Sequence, residues 1–315
     1  MTETRTDTPT SRLPLTVNFH FIKNCNYGCR YCYATFSETS GALVLPDDQL
    51  FGLVRLLART YTKVTLAGGE PTLYRRLPEL LAAIKEEGAL TNLVTNGSRI
   101  TPEWIEQHAH VLDFLTLSID SADPATHRRL GRATRSGETL PGQHYIDLAD
   151  AARAAGVVVK VNTVVTTVNA RESIWGFILL LNPQRWKILQ AAPVAGQNDE
   201  YIGALTPPRA DFDTYVQRHQ QELACSGIRV VVEPIEQIRG SYIMVDPQGR
   251  FFDSTAGTHS YSRPILQVGL DVAFAEVDFD ADLFLARGGD ADWRNGQAPD
   301  RPRPHASPVL AGVQE

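Results

Sequence analysis

Cysteine is scarce in this 315-residue chain: there are four, three within positions 25–32 and the fourth at Cys225. A disulfide-stapled secreted domain spreads many cysteines over a short chain, so that class is excluded. Basic residues are in deficit, with 30 Lys plus Arg against 36 Asp plus Glu and a net charge of −6. A general nucleic-acid binder would show a basic domain or stripe, so no nucleic-acid partner is expected. An anionic small ligand remains compatible, because a pocket needs only a few local cations. No apolar run approaches the roughly 18 residues of a membrane span. The first fourteen residues, MTETRTDTPTSRLP, lack the apolar stretch of a secretory signal. These absences lead us to expect a reduced cytoplasmic setting and no membrane partner. The hydrophobic share of 43% and charged share of 21% are those of an ordinary globular protein.

Strand-like and helix-like stretches alternate after the polar leader. Val17–Ile22, Val64–Ala67, Thr91–Thr95, Phe114–Ile119, Val157–Val165 and Trp186–Gln190 read as strands. Between them, Pro46–Thr60, Leu77–Glu87, the segment opened by Thr101-Pro102-Glu103, Gln143–Ala155 and Glu172–Leu181 read as helices. Six β-then-α units in series predict an α/β fold: a partial (βα)6 TIM-type barrel with a parallel sheet and a C-terminal extension. The chemistry of such folds sits at the C-terminal ends of the strands. Beyond Pro207 the alternation weakens to one helix (Asp211–Ala224), then a strand pair near Ile228–Val232 and Tyr242–Val245. The expected organisation is a disordered leader (1–14), the barrel (15–206), an extension closing the pocket (207–296) and a Pro-rich disordered tail (297–315).

The cysteine cluster reads Cys25-Asn-Tyr-Gly-Cys29-Arg-Tyr-Cys32 and follows the first strand directly. Three thiolates so spaced in a loop can wrap a compact soft-metal centre. An iron–sulfur cubane held by three cysteines would keep one iron open for another ligand. A structural zinc site wants four ligands, and His20 is the candidate fourth. Cys225 reads as a small hydrophobe ending a helix, and Trp104 and Trp175 as core residues.

With Tyr31 just before its last cysteine, this CxxxCxxC motif resembles the signature of radical S-adenosylmethionine enzymes. The resemblance implies a 4Fe–4S cluster at Cys25, Cys29 and Cys32 whose open iron binds S-adenosylmethionine. Gly68-Gly69-Glu70-Pro71, one βα unit later, matches the GGEP segment that contacts the cofactor's amino group in that superfamily. Asn96, Ser118 and Arg132 fall where the superfamily places further cofactor contacts.

A narrower similarity is to the viperin-like branch, covering roughly residues 15–293. It is carried by Asn18-Phe-His-Phe, Leu117-Ser-Ile-Asp-Ser121, Lys160-Val-Asn162 and Asn182-Pro-Gln-Arg185-Trp186-Lys187-Ile-Leu-Gln190. It continues through Ala195-Gly196-Gln-Asn198, Ser241-Tyr242-Ile-Met-Val-Asp246 and positions 284–293. The residues themselves support an anionic ligand. Lys160 and Asn162 share one face of a strand, and Arg185 and Lys187 one face of the next, while Val159, Val161, Trp186 and Ile188 face the helices. Lys63, opening the second strand, adds a fourth cation. Inward barrel positions are ordinarily Val, Ile or Leu, and a buried cluster of like charge is costly without an anionic partner.

The resemblance independently implies triphosphate contacts at Lys63, Lys160, Arg185 and Lys187, and ribose or base contacts at Asn18, Asn162 and Tyr242. It implies that a one-electron reductant of flavodoxin or ferredoxin type drives cleavage of S-adenosylmethionine. Hydrogen abstraction at the ribose 4′ carbon and loss of the 3′ hydroxyl as water then give a 3′-deoxy-3′,4′-didehydro nucleotide, a chain-terminating antiviral product. CTP is the first expected substrate, with UTP or GTP next, and Tyr242 the candidate hydrogen or proton donor. Ala67, where animal members carry serine, and the segment around Phe252–Tyr261 depart from the animal pattern, and both bear on base choice. Other readings are the same chemistry in nucleoside natural-product biosynthesis, a radical enzyme with a different phosphorylated substrate, and a non-enzymatic metal-binding barrel.

Overall fold

Seven strands run parallel in chain order: β1 (Thr16–Ile22), β2 (Lys63–Gly68), β3 (Leu90–Thr95), β4 (Phe114–Ser118), β5 (Val158–Val165), β6 (Arg185–Gln190) and β7 (Arg229–Glu233). The computed structural model describes residues 16–37 and 44–286. The leader expected at 1–14, the tail at 297–315 and the 284–293 motif beyond residue 286 lie outside the described residues. Helices form the crossovers, among them Asp47–Thr60 between β1 and β2 and Gly142–Ala154 between β4 and β5. The first shows why: Asp47 and Asp48 sit in its first turn and Arg59 in its last, matching the helix dipole, while Leu50, Leu53, Val54 and Leu57 form the buried stripe.

The strands are two-faced. Val17, Phe19, Val64, Leu66, Leu93, Leu115, Val159, Val161, Trp186 and Ile188 point outward into one apolar core shared with the helices. Their alternate neighbours point to the inside of the barrel and are mostly polar. At the outer layer, the Trp186 indole donates to Thr163 Oγ1 at 2.8 Å, and the Thr163 hydroxyl donates to the Ile119 carbonyl at 2.6 Å.

Three expectations need correction. The segments near 228–232 and 242–245 do not pair with each other. β7 extends the β6 edge, whereas β8 (Met244–Val245) lies parallel to β1 at the other edge, followed by the antiparallel strands β9 (Arg250–Asp253) and β10 (Ser260–Pro264). An apolar run announces a strand without naming its partner, and both edges of the six-strand sheet were open. The helix expected over Glu172–Leu181 begins only at Trp175. Glu172 instead accepts hydrogen bonds from the Ser121 and Thr126 hydroxyls, and the Ile174 amide donates to His219 Nε2 at 3.0 Å. Cys225 is exposed beyond the helix Arg209–Glu222, so it does not pack as a hydrophobe. Trp104 and Trp175 do pack against the core.

Replacing Thr163 by valine keeps shape but strands a buried indole N–H and a buried carbonyl. The expected loss is roughly 1–3 kcal/mol of stability, read as a lower urea midpoint at unchanged slope.

Candidate active site

A single cavity runs along the inside of the barrel, lined at alternate positions by β1 (Asn18, His20), β2 (Lys63, Thr65), β3 (Asn92), β4 (Thr116, Ser118), β5 (Lys160, Asn162) and β6 (Arg185, Lys187). The three cysteines line the same cavity, at the end where the parallel strands finish. All of the residues expected to bind cluster, cofactor or substrate border this one space.

The cysteine loop has no regular structure of its own and is clamped by other loops. Gly28 N–H donates to the Gly131 carbonyl at 3.1 Å and Arg30 N–H to the Leu130 carbonyl at 3.0 Å. Gln197 Oε1 accepts from the Phe36 amide at 2.7 Å, and Asn198 Nδ2 donates to the Tyr31 carbonyl at 3.2 Å. The Ala195–Asn198 stretch is thus a brace for the loop. On the other side, the Gly69 and Glu70 amides donate to the Ile22 and Asn24 carbonyls at 2.6 and 2.7 Å. A Cβ on Gly69 would lie 2.1 Å from the Asn24 carbonyl oxygen, so only glycine permits this approach.

Burial pushes the Cys32 thiol up to about 12 and raises the Cys29 thiol as well, and the neighbouring Cys29 sulfur adds to the shift at Cys32. A bound metal reverses that preference and holds the sulfurs as thiolates. Among the described residues, no three His, Cys, Asp or Glu side chains are gathered as the ligands of one ion would be. His20 is instead buried among Tyr33, Phe36 and Phe252, and burial lowers its pKa to about 3.

Glu70 is buried, and its carboxylate accepts from the Thr72 amide and hydroxyl, the Thr95 hydroxyl at 2.6 Å and the Asn96 amide at 2.8 Å. Three of these donors fall on Oε1, which leaves acceptor capacity on Oε2. The Asn96 side chain is engaged by Asn26 at 2.9 Å and by the Ser98 amide at 2.9 Å, so it ties the β3 turn to the cysteine loop. Arg132 donates to the Ser118 carbonyl, stands 3.5 Å from Asp120, and approaches Cys29 Sγ at 3.9 Å. Among the described residues its buried Nε has no hydrogen-bond partner, an orphan donor on the cavity wall beside the cysteines. Asp120, which the sequence reading passed over, also accepts from the Tyr31 hydroxyl and from the Val164 amide. These donors and acceptors fit a zwitterionic cofactor set beside a cluster.

At the far end, register puts Lys160 opposite Arg185 and Asn162 opposite Lys187. Lys63, Lys160, Arg185 and Lys187 are all buried. Burial, then the charges of Lys63, Arg185 and Lys187, hold the Lys160 ammonium well below the usual lysine range. Lys63 and Lys160 lie over the Phe114 ring, at 5.5 and 3.9 Å from its centroid. A residue missed in the sequence, Glu233 at the end of β7, is fully buried and lies 2.8 Å from Lys187 Nζ. Tyr242 bridges them: Lys187 Nζ donates to its hydroxyl at 2.6 Å, and that hydroxyl donates to Glu233.

The barrel, the cysteine loop and the GGEP turn define the radical S-adenosylmethionine class, and the Radical SAM superfamily matches residues 19–181. Among solved structures, Streptococcus suis SuiB bound to S-adenosylmethionine aligns over 76% of this chain and 60% of its own (TM-score 0.58, 16% identity). Native anSMEcpe with bound AdoMet aligns over 76% and 74% (TM-score 0.55, 16% identity). Sequence relatives are more specific. An S-adenosylmethionine-dependent nucleotide dehydratase of Lacinutrix mariniflava is 39% identical over 92% of this chain, which spans 61% of that relative's length. One of Flammeovirga pacifica is 36% identical over 88% of this chain and 96% of its own. One of Danio rerio is 33% identical over 89% and 78%. The chain belongs to this family of S-adenosylmethionine-dependent nucleotide dehydratases. Its cofactors are accordingly a 4Fe–4S cluster and S-adenosylmethionine.

Gly69→Ala should push the GGEP turn off the cysteine loop. Iron bound per chain after anaerobic reconstitution is expected to fall at least about twofold, with an unchanged far-UV circular dichroism spectrum.

Proposed function

We propose that the enzyme dehydrates a ribonucleoside triphosphate, CTP first, to its 3′-deoxy-3′,4′-didehydro analogue, a chain terminator against viral replication. The observation that carries this reading is the buried quartet Lys63, Lys160, Arg185 and Lys187 at one end of the cavity whose other end holds the cysteines. Three or four converging cations match the charge of a triphosphate and exceed what a neutral substrate would need. Held by Cys25, Cys29 and Cys32, a cluster with S-adenosylmethionine would supply the radical chemistry needed to activate a ribose C–H bond. Every other task falls to the chain. The cations anchor the phosphates, and Asn18 and Asn162 face the middle of the cavity, where the ribose would lie. The Tyr242 hydroxyl, held between Lys187 and Glu233, is a candidate donor with a carboxylate behind it to exchange the proton. Glu70 and Arg132 would hold the ammonium and carboxylate of S-adenosylmethionine. A flavodoxin- or ferredoxin-type carrier would deliver the electrons. Four free cysteines, and no helix among the described residues long and apolar enough to cross a membrane, fit a reducing cytoplasm.

The test is anaerobic turnover with S-adenosylmethionine, dithionite and each of CTP, UTP, GTP and ATP in turn, following 5′-deoxyadenosine and nucleotide mass. Release stimulated by one nucleotide, with that nucleotide one water lighter, is the expected outcome. Release indifferent to all four would overturn the nucleotide reading while leaving the radical chemistry.

Lys160 makes a second prediction. Its proton is disfavoured by burial and by three neighbouring cations, and an incoming triphosphate favours it. Binding should therefore take up a proton, and affinity should fall as pH rises. Calorimetry of a non-hydrolysable triphosphate in buffers of different ionisation enthalpy measures the uptake, which Lys160→Met should abolish.

A further inference from the structure

Outside the barrel, the rim of the cysteine loop is strongly basic, although the chain as a whole carries −6. Arg30 in the loop, Arg128 and Arg129 at the end of the helix Pro124–Arg129, and Arg135 just beyond are all exposed. Arg30, Arg128 and Arg135 line one shallow depression together with Cys25, itself exposed. Elsewhere on the surface, arginines such as Arg55, Arg59, Arg76, Arg209 and Arg263 are held in ion pairs with carboxylates. The four rim arginines form no ion pair among the described residues. Arg30 donates to the Arg129 carbonyl at 3.1 Å and lies over the Tyr201 ring, and Arg128 reaches only the Thr139 hydroxyl. The nearby carboxylates are otherwise engaged: Asp123 caps the helix, Glu138 accepts from Ser136, and Glu200 bonds Tyr201. The rim is also rigidly joined to the cysteines. Gly28 and Arg30 are bonded to the backbone of Leu130 and Gly131, and a Cβ on Gly131 would lie 2.2 Å from the Gly28 carbonyl oxygen.

We propose that this rim is the docking face for an acidic one-electron carrier protein of the flavodoxin or ferredoxin kind. Four exposed arginines, none of them in an ion pair among the described residues, spread over a shallow face suit steering of a complementary protein surface, whereas a small anion would want them converged and buried. The loop they border brings Cys25 to the surface, so a carrier seated there stands against the cluster. One electron passes from the reduced carrier, oxidised by one, to the oxidised cluster, reduced by one. The inference rests on the cofactors and not on which nucleotide is dehydrated.

The test uses cluster-loaded enzyme and a purified bacterial flavodoxin, without nucleotide, with affinity measured by biolayer interferometry. Raising NaCl from about 50 to about 300 mM is expected to weaken binding about tenfold. The Arg128→Glu/Arg135→Glu pair should weaken it about tenfold at low salt and slow flavodoxin-driven cluster reduction to match, while dithionite-driven reduction is unchanged. Binding within twofold of the parent, or no salt dependence, would overturn the proposal. So would an equal loss in an Arg209→Glu/Arg263→Glu control, which would reduce the effect to net charge. If the reversed pair fails to load its cluster, the Arg128→Gln/Arg135→Gln pair must weaken binding about threefold for the proposal to stand.

Discussion

Like charges gathered inside a barrel oppose folding, and much of this structure answers to that constraint. Removing an ammonium or guanidinium from water costs several kcal/mol per ion even after relaxation, and Lys63, Lys160, Arg185 and Lys187 are all buried on one inner wall. The chain eases the cost in three ways. Glu233 neutralises Lys187 directly. Phe114 offers its ring face to Lys63 and Lys160. Lys160 itself is biased toward losing its proton. Above these groups the inner wall continues as a polar ladder: Asn92 donates to Thr65 at 3.2 Å, and Thr116 donates to Asn92 at 2.8 Å. A barrel interior given over to polar groups contributes little apolar burial. The stabilising area therefore has to come from the outer strand faces and their helices, and the largest apolar cluster lies there.

The opposite end of the cavity has a different problem, since a loop dense in cysteine cannot hold its own shape. Three separate βα loops supply it. The GGEP turn closes on Asn24, the 128–131 segment on Gly28 and Arg30, and the 195–198 segment on Tyr31 and Phe36. Glu70 ties the first of these to a neighbouring strand, since its carboxylate organises the start of the Pro71–Leu73 turn and the end of β3. Bracing of this kind lowers the ordering cost that cluster binding would otherwise carry.

Much of this was legible in the sequence because it depends on period alone. Alternation in Lys160-Val-Asn162 and Arg185-Trp-Lys187 tells which side chains share a face, and six βα units tell that the faces close on one interior. Cysteine spacing and the GGEP turn point to residues that meet at one end of that interior. Glu233 went unnoticed, and Asp120 was quoted in Leu117–Ser121 without a role, for one reason: each acts through a partner distant in sequence, and only the register of β7 against β6, or the path from β4 to Arg132, makes them neighbours. An isolated carboxylate carries no mark of that. Register also decides why the last two apolar runs capped opposite edges instead of pairing, since a run of valines fits either edge equally well.

Strand direction gives the cavity a polarity that composition cannot. All of β1 to β7 start at the cationic end and finish at the cysteine end. At about 3.3 Å per residue, the Lys160–Arg185 level and the Asn162–Lys187 level are separated by about 6.6 Å. That spacing is too long for one phosphate group and suits a chain of them lying along the axis. Under the proposed function, a nucleotide anchored this way would place its ribose on the cysteine side of Lys187, within the same cavity. Tyr242, Ile243 and Met244 bring the C-terminal extension to the same cavity, so under the proposed function the base would meet that part of the wall. On this reading the phosphates choose depth, the ribose is placed by default, and the base meets the part of the wall that the extension builds.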